Sequence, residues 1–547
     1  GVGALTISGG GIISLSLDTA TSTYSGGTVI NAGTLSTNWL GTTAGPITFD
    51  GGTLATTATF TQTGTVLLND NAVIQPATGT ILTLNGNISD GATAESLTMS
   101  GLGTLVLGGA NSYRGGTNVQ SGILQVAGNN LPSTGTITVA NGGTYTQTGG
   151  TSPIVPFILQ AGGTANITGT LSPLGGSSAG TFIVSDNSLL FNNGIFDFTA
   201  GTLTLTGPDG VLSNSGTLVL GAATSGGGSI GNSGTLTVTS SLAVSELTNI
   251  MTLIFSGGST NNSTPISNQG IFNITGDTTN SAVLTNYLTM SVGAGLSGGS
   301  IDNKQNANLT FDGATNSASV ANAGIFDITG ANSTNTASIT NASTGQLTIA
   351  TGLLNAAGSI TNNSGTITLQ TNANVANSIV NSAGTLYVTG TATAGVVTGS
   401  GTVNVDTTGI LAAASYTNSG THVANIANNA DFGRVNATTA NLNNATIITT
   451  AFSATSGSWE IITGVGPNSV TAVGTTYVLP SDTGALFGVW SGGLNSDNSA
   501  IVLSVEREPF IQVAAGANTF AQDVAAVLEF VQDHITNPGQ QFLIDAF

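Results

Sequence analysis

Two stretches of this chain obey one grammar. Tyr24-Ser25-Gly26-Gly27-Thr28-Val29-Ile30-Asn31-Ala32-Gly33-Thr34-Leu35 and Tyr113-Arg114-Gly115-Gly116-Thr117-Asn118-Val119-Gln120-Ser121-Gly122-Ile123-Leu124 both read Y-x-G-G-T-x-[IV]-x-x-G-x-L, each matched position offset by 89 (24 to 113, 35 to 124). Repetition of that kind means a repeated structural unit. Gly-Gly opens backbone angles closed to other residues and turns a corner. The alternation that follows suits a short strand. Gly33 or Gly122 turns the next corner, and Leu124 and Val126 begin a strand with every second side chain inward. A chain that alternates strand and corner winds into a β-solenoid.

A second, simpler unit, N-x-G-x-[LIF]-x-[VIFL], takes over beyond residue 190. It appears as Asn214-Ser215-Gly216-Thr217-Leu218-Val219-Leu220, Asn232-Ser233-Gly234-Thr235-Leu236-Thr237-Val238 and Asn268-Gln269-Gly270-Ile271-Phe272-Asn273-Ile274. Later copies place glycine at 324, 345, 365, 384 and 420. The steps are 18 (216 to 234), 36, read as two turns (234 to 270), 20 (345 to 365) and 19 (365 to 384). That period suits three short strands per coil. Leu236 and Val238 are predicted to point inward with Leu386, Val388, Phe326 and Ile328, and Thr235 and Thr237 outward. The asparagine before each glycine predicts a turn that tolerates left-handed angles, and stacked copies predict amide ladders.

Composition narrows the function. With 39% hydrophobic residues and a mean hydropathy of +0.29 the chain is not of the disordered class. Only 5% of residues are charged, so the surface must be Thr, Ser, Asn and Gly. Four basic residues (Arg114, Lys304, Arg434, Arg507) against 24 acidic ones leave no basic patch, which excludes nucleic acid and anionic lipid as partners. Without cysteine there are no disulfides, thiolate metal sites or cysteine nucleophiles.

The two Y-x-G-G-T stretches resemble the passenger-associated transport repeat of autotransporters, the type V secreted proteins of Gram-negative bacteria. The resemblance implies a right-handed parallel β-helix displayed at the outer-membrane surface, with a translocating barrel C-terminal to it. We divide the chain into a β-helix with passenger-associated repeats at 1–150, coils of about 18 to 22 residues at 151–449, a β cap at 450–512 and an amphipathic helical linker at 513–547. The cap rests on Trp459-Glu460-Ile461-Ile462, Thr476-Tyr477-Val478 and Ile501-Val502-Leu503-Ser504-Val505-Glu506-Arg507. It resembles the folding-promoting end of autotransporter passengers. The helix starts at the capping box Thr519-Phe520-Ala521-Gln522 and lines up Phe520, Val524, Val527, Leu528, Val531 and Ile535 on one face before Asn537-Pro538-Gly539. The chain opens Gly1-Val2-Gly3 and ends at Ala546-Phe547, which reads as a processed or truncated piece.

Few residues suggest chemistry. His422 stands where other coils place an inward leucine and reads as a register shift or a core histidine; His534 lies near a helix C-terminus. Asp197 and Asp327 occupy equivalent outward positions and read as solvated carboxylates rather than a glycosidase pair. Arg507, between Glu506 and Glu508, reads as a local ion pair. No catalytic, cofactor or metal residue is assigned, and calcium-loop motifs are absent. The expected function is a non-enzymatic, extracellular passenger acting as adhesin or structural stalk, with cell-surface glycans or proteins as partners. The alternative is a self-associating filament, sheath or biofilm-matrix protein, favoured where strand edges stay uncapped.

Overall fold

A computed structural model describes residues 2–17, 23–127, 130–132, 134–152, 154–330, 333–350, 354–355, 358–451, 457–480 and 488–507. Among them every regular element is a β-strand, and the stacked coils form a parallel β-solenoid of the right-handed type. The helix expected at 519–535 lies outside the described residues. The chain divides into two compact units, residues 1–290 and 291–547.

From residue 181 each coil of the first unit is three short strands, as in Ala223–Gly226, Ser229–Asn232 and Thr235–Val238, whereas the earlier coil of Ile137–Val139 with Gly143–Thr151 has two. Each strand pairs in parallel with its counterpart one coil on, so that Leu218, Leu236 and Leu253 stack, then Leu253 and Phe272. Burial alternates as the period of two requires: Leu236 and Val238 are buried, Thr235 and Thr237 half-exposed. The apolar column continues into edge-to-face aromatic contacts, Phe157 to Phe182 at 5.8 Å and Phe255 to Phe272 at 5.1 Å between ring centroids. The six positions expected inside, Leu236, Val238, Phe326, Ile328, Leu386 and Val388, are all buried.

Both Y-x-G-G-T stretches fold as read, strand Thr28–Ile30 leading to Thr34–Thr37 and strand Thr117–Val119 to Gly122–Val126. The second glycine of each pair and the later corner glycine adopt positive φ: Gly27 +90°, Gly116 +98°, Gly33 +72°, Gly122 +70°. The two copies nevertheless lie in different sheets. Thr28–Ile30 belongs to a five-stranded sheet with Leu5–Ile7 and Ile47–Phe49, whereas Thr117–Val119 stacks between Leu97–Met99 and Ile137–Val139 on the next face.

The asparagines of the N-x-G unit form ladders. In the first unit Asn192 Nδ2 donates to Asn214 Oδ1 at 2.7 Å, and the same bond repeats from Asn214 to Asn232, Asn232 to Asn249, Asn249 to Asn268 and Asn268 to Asn286 at 2.7–2.8 Å. In the second unit Asn303, Asn322, Asn341, Asn362 and Asn381 do likewise at 2.7–3.0 Å. Each rung also reaches the corner and the coil beyond: Asn232 Nδ2 donates to Gly234 O at 3.1 Å and Thr252 O at 2.8 Å. The buried amides are thus satisfied by one another and by backbone carbonyls.

One expectation is corrected. None of these ladder asparagines adopts a left-handed conformation, nor do the corner glycines Gly216, Gly234 and Gly270. Positive φ at asparagine occurs elsewhere, at Asn187, Asn306, Asn372, Asn444, Asn468 and Asn498. The corner needs glycine for space instead: a Cβ on Gly234 would overlap the carbonyl oxygen of Gly216 one coil below.

In the second unit the corner between two strands straightens, giving long strands Thr391–Gly399, Ile410–Asn418 and Arg434–Asn441. Parallel pairing runs on past residue 449, Val435 aligning with Ile462 and Thr446 with Thr476. The pattern then changes to antiparallel, Ala500–Arg507 lying between Gly457–Thr463 and Gly488–Leu494, with Trp459 stacked on Trp490 at 5.4 Å.

Candidate functional site

His422 is an interior residue in its expected register, not a shifted one. It stacks in line between Val403 and Ile447 and is fully buried. Nδ1 lies 3.0 Å from the Tyr416 hydroxyl, and Nε2 has no partner. Burial depresses its pKa to about 4, so the ring is neutral at physiological pH. Shielded from solvent, it is placed for packing rather than for proton transfer to a ligand. His534 lies outside the described residues, and of Arg507 only the backbone is described, aligned with Gly488.

The two outward aspartates have no carboxylate partner in their stacks. Asp197 aligns with Ser177 and Val219, in the first unit, and Asp327 with Thr310 and Thr348, in the second. Paired-carboxylate chemistry needs two such groups across one sugar, and neither stack offers it. Among the described residues no group of three or more His, Asp or Glu side chains could hold a metal ion.

The described basic side chains are each engaged separately. Lys304 pairs with Asp302, and the Arg434 guanidinium lies 5.6 Å from the centre of the Phe432 ring. Arg114 works inside the second repeat. Its backbone N donates to Asp90 Oδ2 at 2.7 Å, its Nε to Asp90 Oδ1 at 3.1 Å, and its terminal nitrogen to Gly91 O and Thr93 O. That clasp ties the repeat to the coil below it; the first repeat carries Ser25 at the matching position.

A contact common to both repeats explains their tyrosine. The Tyr113 hydroxyl meets Thr117 Oγ1 at 2.7 Å and the Tyr24 hydroxyl meets Thr28 Oγ1 at 2.9 Å. The bond closes the Gly-Gly corner from inside. Tyr113 and Thr117 are both buried, so Tyr113→Phe strands a buried hydroxyl. It is expected to cost about 1–2 kcal/mol. Native-state hydrogen exchange at residues 113–126 reads that loss, and unchanged protection there would deny the tyrosine its corner role.

Two surface features are absent from the sequence reading. A groove of about 430 Å³ crosses four coils of the second unit over Ala394, Ala413 and Ala437, with Thr393, Asn436 and Thr463 on its rim. It has neither aromatic nor carboxylate in its lining. In the first unit the N-x-G corner loses its glycine in two coils, reading Asn249-Ile250-Met251 and Asn286-Tyr287-Leu288. Ile250, Met251, Tyr287 and Leu288, with Ile271 between them, are each about half-exposed. Backbone bonds from Ile271 N to Met251 O and from Tyr287 N to Asn268 O stack both corners on the Asn268-Gln269-Gly270 corner between them. The result is an apolar corner strip, crossed by Gln269-Gly270 and adjoining the Ser233-Gly234 corner. The sequence signal was the missing glycine itself, hidden by counting 234 to 270 as a silent double step.

The passenger-associated-transport-repeat family matches residues 5–36 and 97–126, which contain both Y-x-G-G-T stretches. The chain is 35% identical over 114 residues to the "Adhesin BmaC autotransporter" of Brucella suis biovar 1 (strain 1330). That match covers 20% of this chain and 3% of the Brucella protein.

Proposed function

We propose, for a chain that carries two passenger-associated transport repeats and resembles an autotransporter passenger, that it is displayed outside a Gram-negative cell as an adhesin or structural stalk. The observation that carries this reading is that both repeats are coils of a parallel solenoid, packed on their neighbours at the corner glycines and each closed internally by its Tyr–Thr bond. A solenoid of this kind is built by nearest-neighbour stacking, so it can extend outward as it emerges. A barrel translocator C-terminal to the passenger supplies the route. The antiparallel strands at 457–507 serve as the cap that ends the stack. In this reading the role is one of binding or spacing.

The test is expression of the complete gene product in a Gram-negative host. Surface protease should remove the 1–507 region from intact cells, and those cells should adhere to a host-cell layer more than cells lacking residues 1–507. Protection from protease on intact cells would overturn the display reading.

The apolar corner strip favours a second reading, self-association into a filament or matrix. Under it, the 1–547 chain sediments as a concentration-dependent assembly, and Tyr287→Ser with Leu288→Gly returns it to a monomer. A wild-type monomer at every concentration removes this alternative.

A further inference from the structure

The interior of the second unit changes character after Asn381. The ladder position in the next coil is Gly399, which aligns with Asn381 below and Asn418 above. No amide can stand there, and Asn381 Nδ2 keeps the bond to the coil beyond, Thr402 O at 2.9 Å, without a ladder partner at Gly399. In the following coil the interior holds Tyr416, Asn418 and His422. Asn418 Nδ2 donates to Thr421 O at 3.0 Å and only weakly, at 3.5 Å, to the Tyr416 hydroxyl. His422 bonds Tyr416 through Nδ1 and leaves Nε2 buried and unmatched. One coil further, Thr449 Oγ1 is also buried without a partner. A satisfied ladder has given way to a half-satisfied cluster with an ionisable ring at its centre.

Nothing packed against that ring offers a compensating charge. Thr402–Val405 turns Val403 toward the interior and Thr446–Ala451 turns Ile447, the two residues aligned with His422. Ile410–Asn418 contributes Leu411, Tyr416 and Asn418, and Arg434–Asn441 contributes Val435, Ala437 and Ala440. Tyr416 is the one other titratable group among these inward residues, and burial pushes its pKa up, so it stays neutral in mild acid. Arg434 alternates to the outer face, over Phe432. No aspartate or glutamate faces the imidazole from any of the four strands.

We propose that the coils of residues 391–451 are an acid-labile joint in the second unit, held shut while His422 is neutral and opened when it takes up a proton. Protonation makes both ring nitrogens donors, leaves Nε2–H without an acceptor, and sets a cation between Val403 and Ile447. Such a charge is relieved only by admitting water, which separates the stacked strands. The ladder coils ending at Asn381 contain no inward ionisable group and keep their amide bonds. A local opening therefore separates from unfolding of the whole unit, as nearest-neighbour stacking allows.

The folded ring has a pKa of about 4 against about 6.5 when exposed. The opened state thus binds more protons throughout that window, and protection falls as pH falls from about 6.5 to about 4. The loss is up to roughly tenfold per pH unit, on the order of a hundredfold in all. Hydrogen exchange of the intact chain, normalised to unstructured rates at each pH, is the measurement. Residues 402–426 should lose that protection on acidification, while residues 300–381 keep theirs. His422→Leu should abolish the pH dependence. His422→Gln, which keeps a polar contact for Tyr416 without titrating, should do the same and stands in if the leucine variant does not fold. Unchanged protection of 402–426 at pH 4 in the wild type overturns the proposal, as does the same acid loss in either variant.

Discussion

Replacing Asn232 by Asp is expected to break the amide ladder of the first unit at its middle, at a local cost of about 3–5 kcal/mol at neutral pH. Asn232 Oδ1 accepts from Asn214 Nδ2, so that half of the rung survives the change. The other half does not. Nδ2 faces three acceptors, Asn249 Oδ1 at 2.7 Å, Thr252 O at 2.8 Å and Gly234 O at 3.1 Å. A carboxylate oxygen in its place meets oxygen on every side, in an interior where Asn232 is 1% exposed. A proton on the new carboxyl would restore one donor. The deficit should therefore shrink as the pH is lowered, opposite in sign to the acid effect expected at His422. Because coils fail locally, native-state hydrogen exchange over residues 211–255 is the proper reading rather than one melting temperature. Protection equal to wild type at pH 7 would mean the amides are not the lock described above.

What was legible beforehand is what depends on near neighbours in sequence. Period-two alternation decides that Leu236 faces in and Thr235 faces out, and both halves of that statement are local. The Gly-Gly corners are legible in part locally, since Gly116 and Gly122 take positive φ, though a Cβ on Gly122 would also meet the Gly101 carbonyl of the coil below. The N-x-G corner was misjudged because its constraint is not local. Gly234 is small to admit the carbonyl of Gly216, which arrives from 18 residues earlier (234 minus 216). The asparagine ladder was foreseen from the stacking of equivalent positions. Its interruption at Gly399 was not, because the register that places Gly399 above Asn381 follows a bulge in the preceding strand between Val375 and Ser378. The same limit hid the Tyr416–His422 contact. Six residues separate the two (422 minus 416), but they meet only because two successive strands both turn them inward. The change of face between the two repeats was equally invisible, since 89 residues fix an offset in sequence and not a whole number of turns.

The sharpest examination of register is a pair of aspartates one residue apart in the second unit. Leu386→Asp is expected to cost several kcal/mol, whereas Thr385→Asp should stay within about 0.5 kcal/mol of wild type. Leu386 is fully buried and stacks between Ile367 and Val403, so a charge there has no partner and no water. Thr385 stacks between Thr366 and Thr402 on the outer face, in a column that continues through Thr421, Thr446 and Thr476. There a carboxylate replaces one hydroxyl among several and keeps its hydration. Propensity cannot produce the difference, because the two sites are neighbours in the strand Thr385–Val388 and receive the same new residue. Only the direction of the side chain distinguishes them, and a slip of one residue would exchange the two outcomes. Thermal unfolding with hydrogen exchange over residues 366–405 measures both. Equal losses, or a larger one at Thr385, would refute the inward assignment of Leu386 and with it the stacking order of the coils around it.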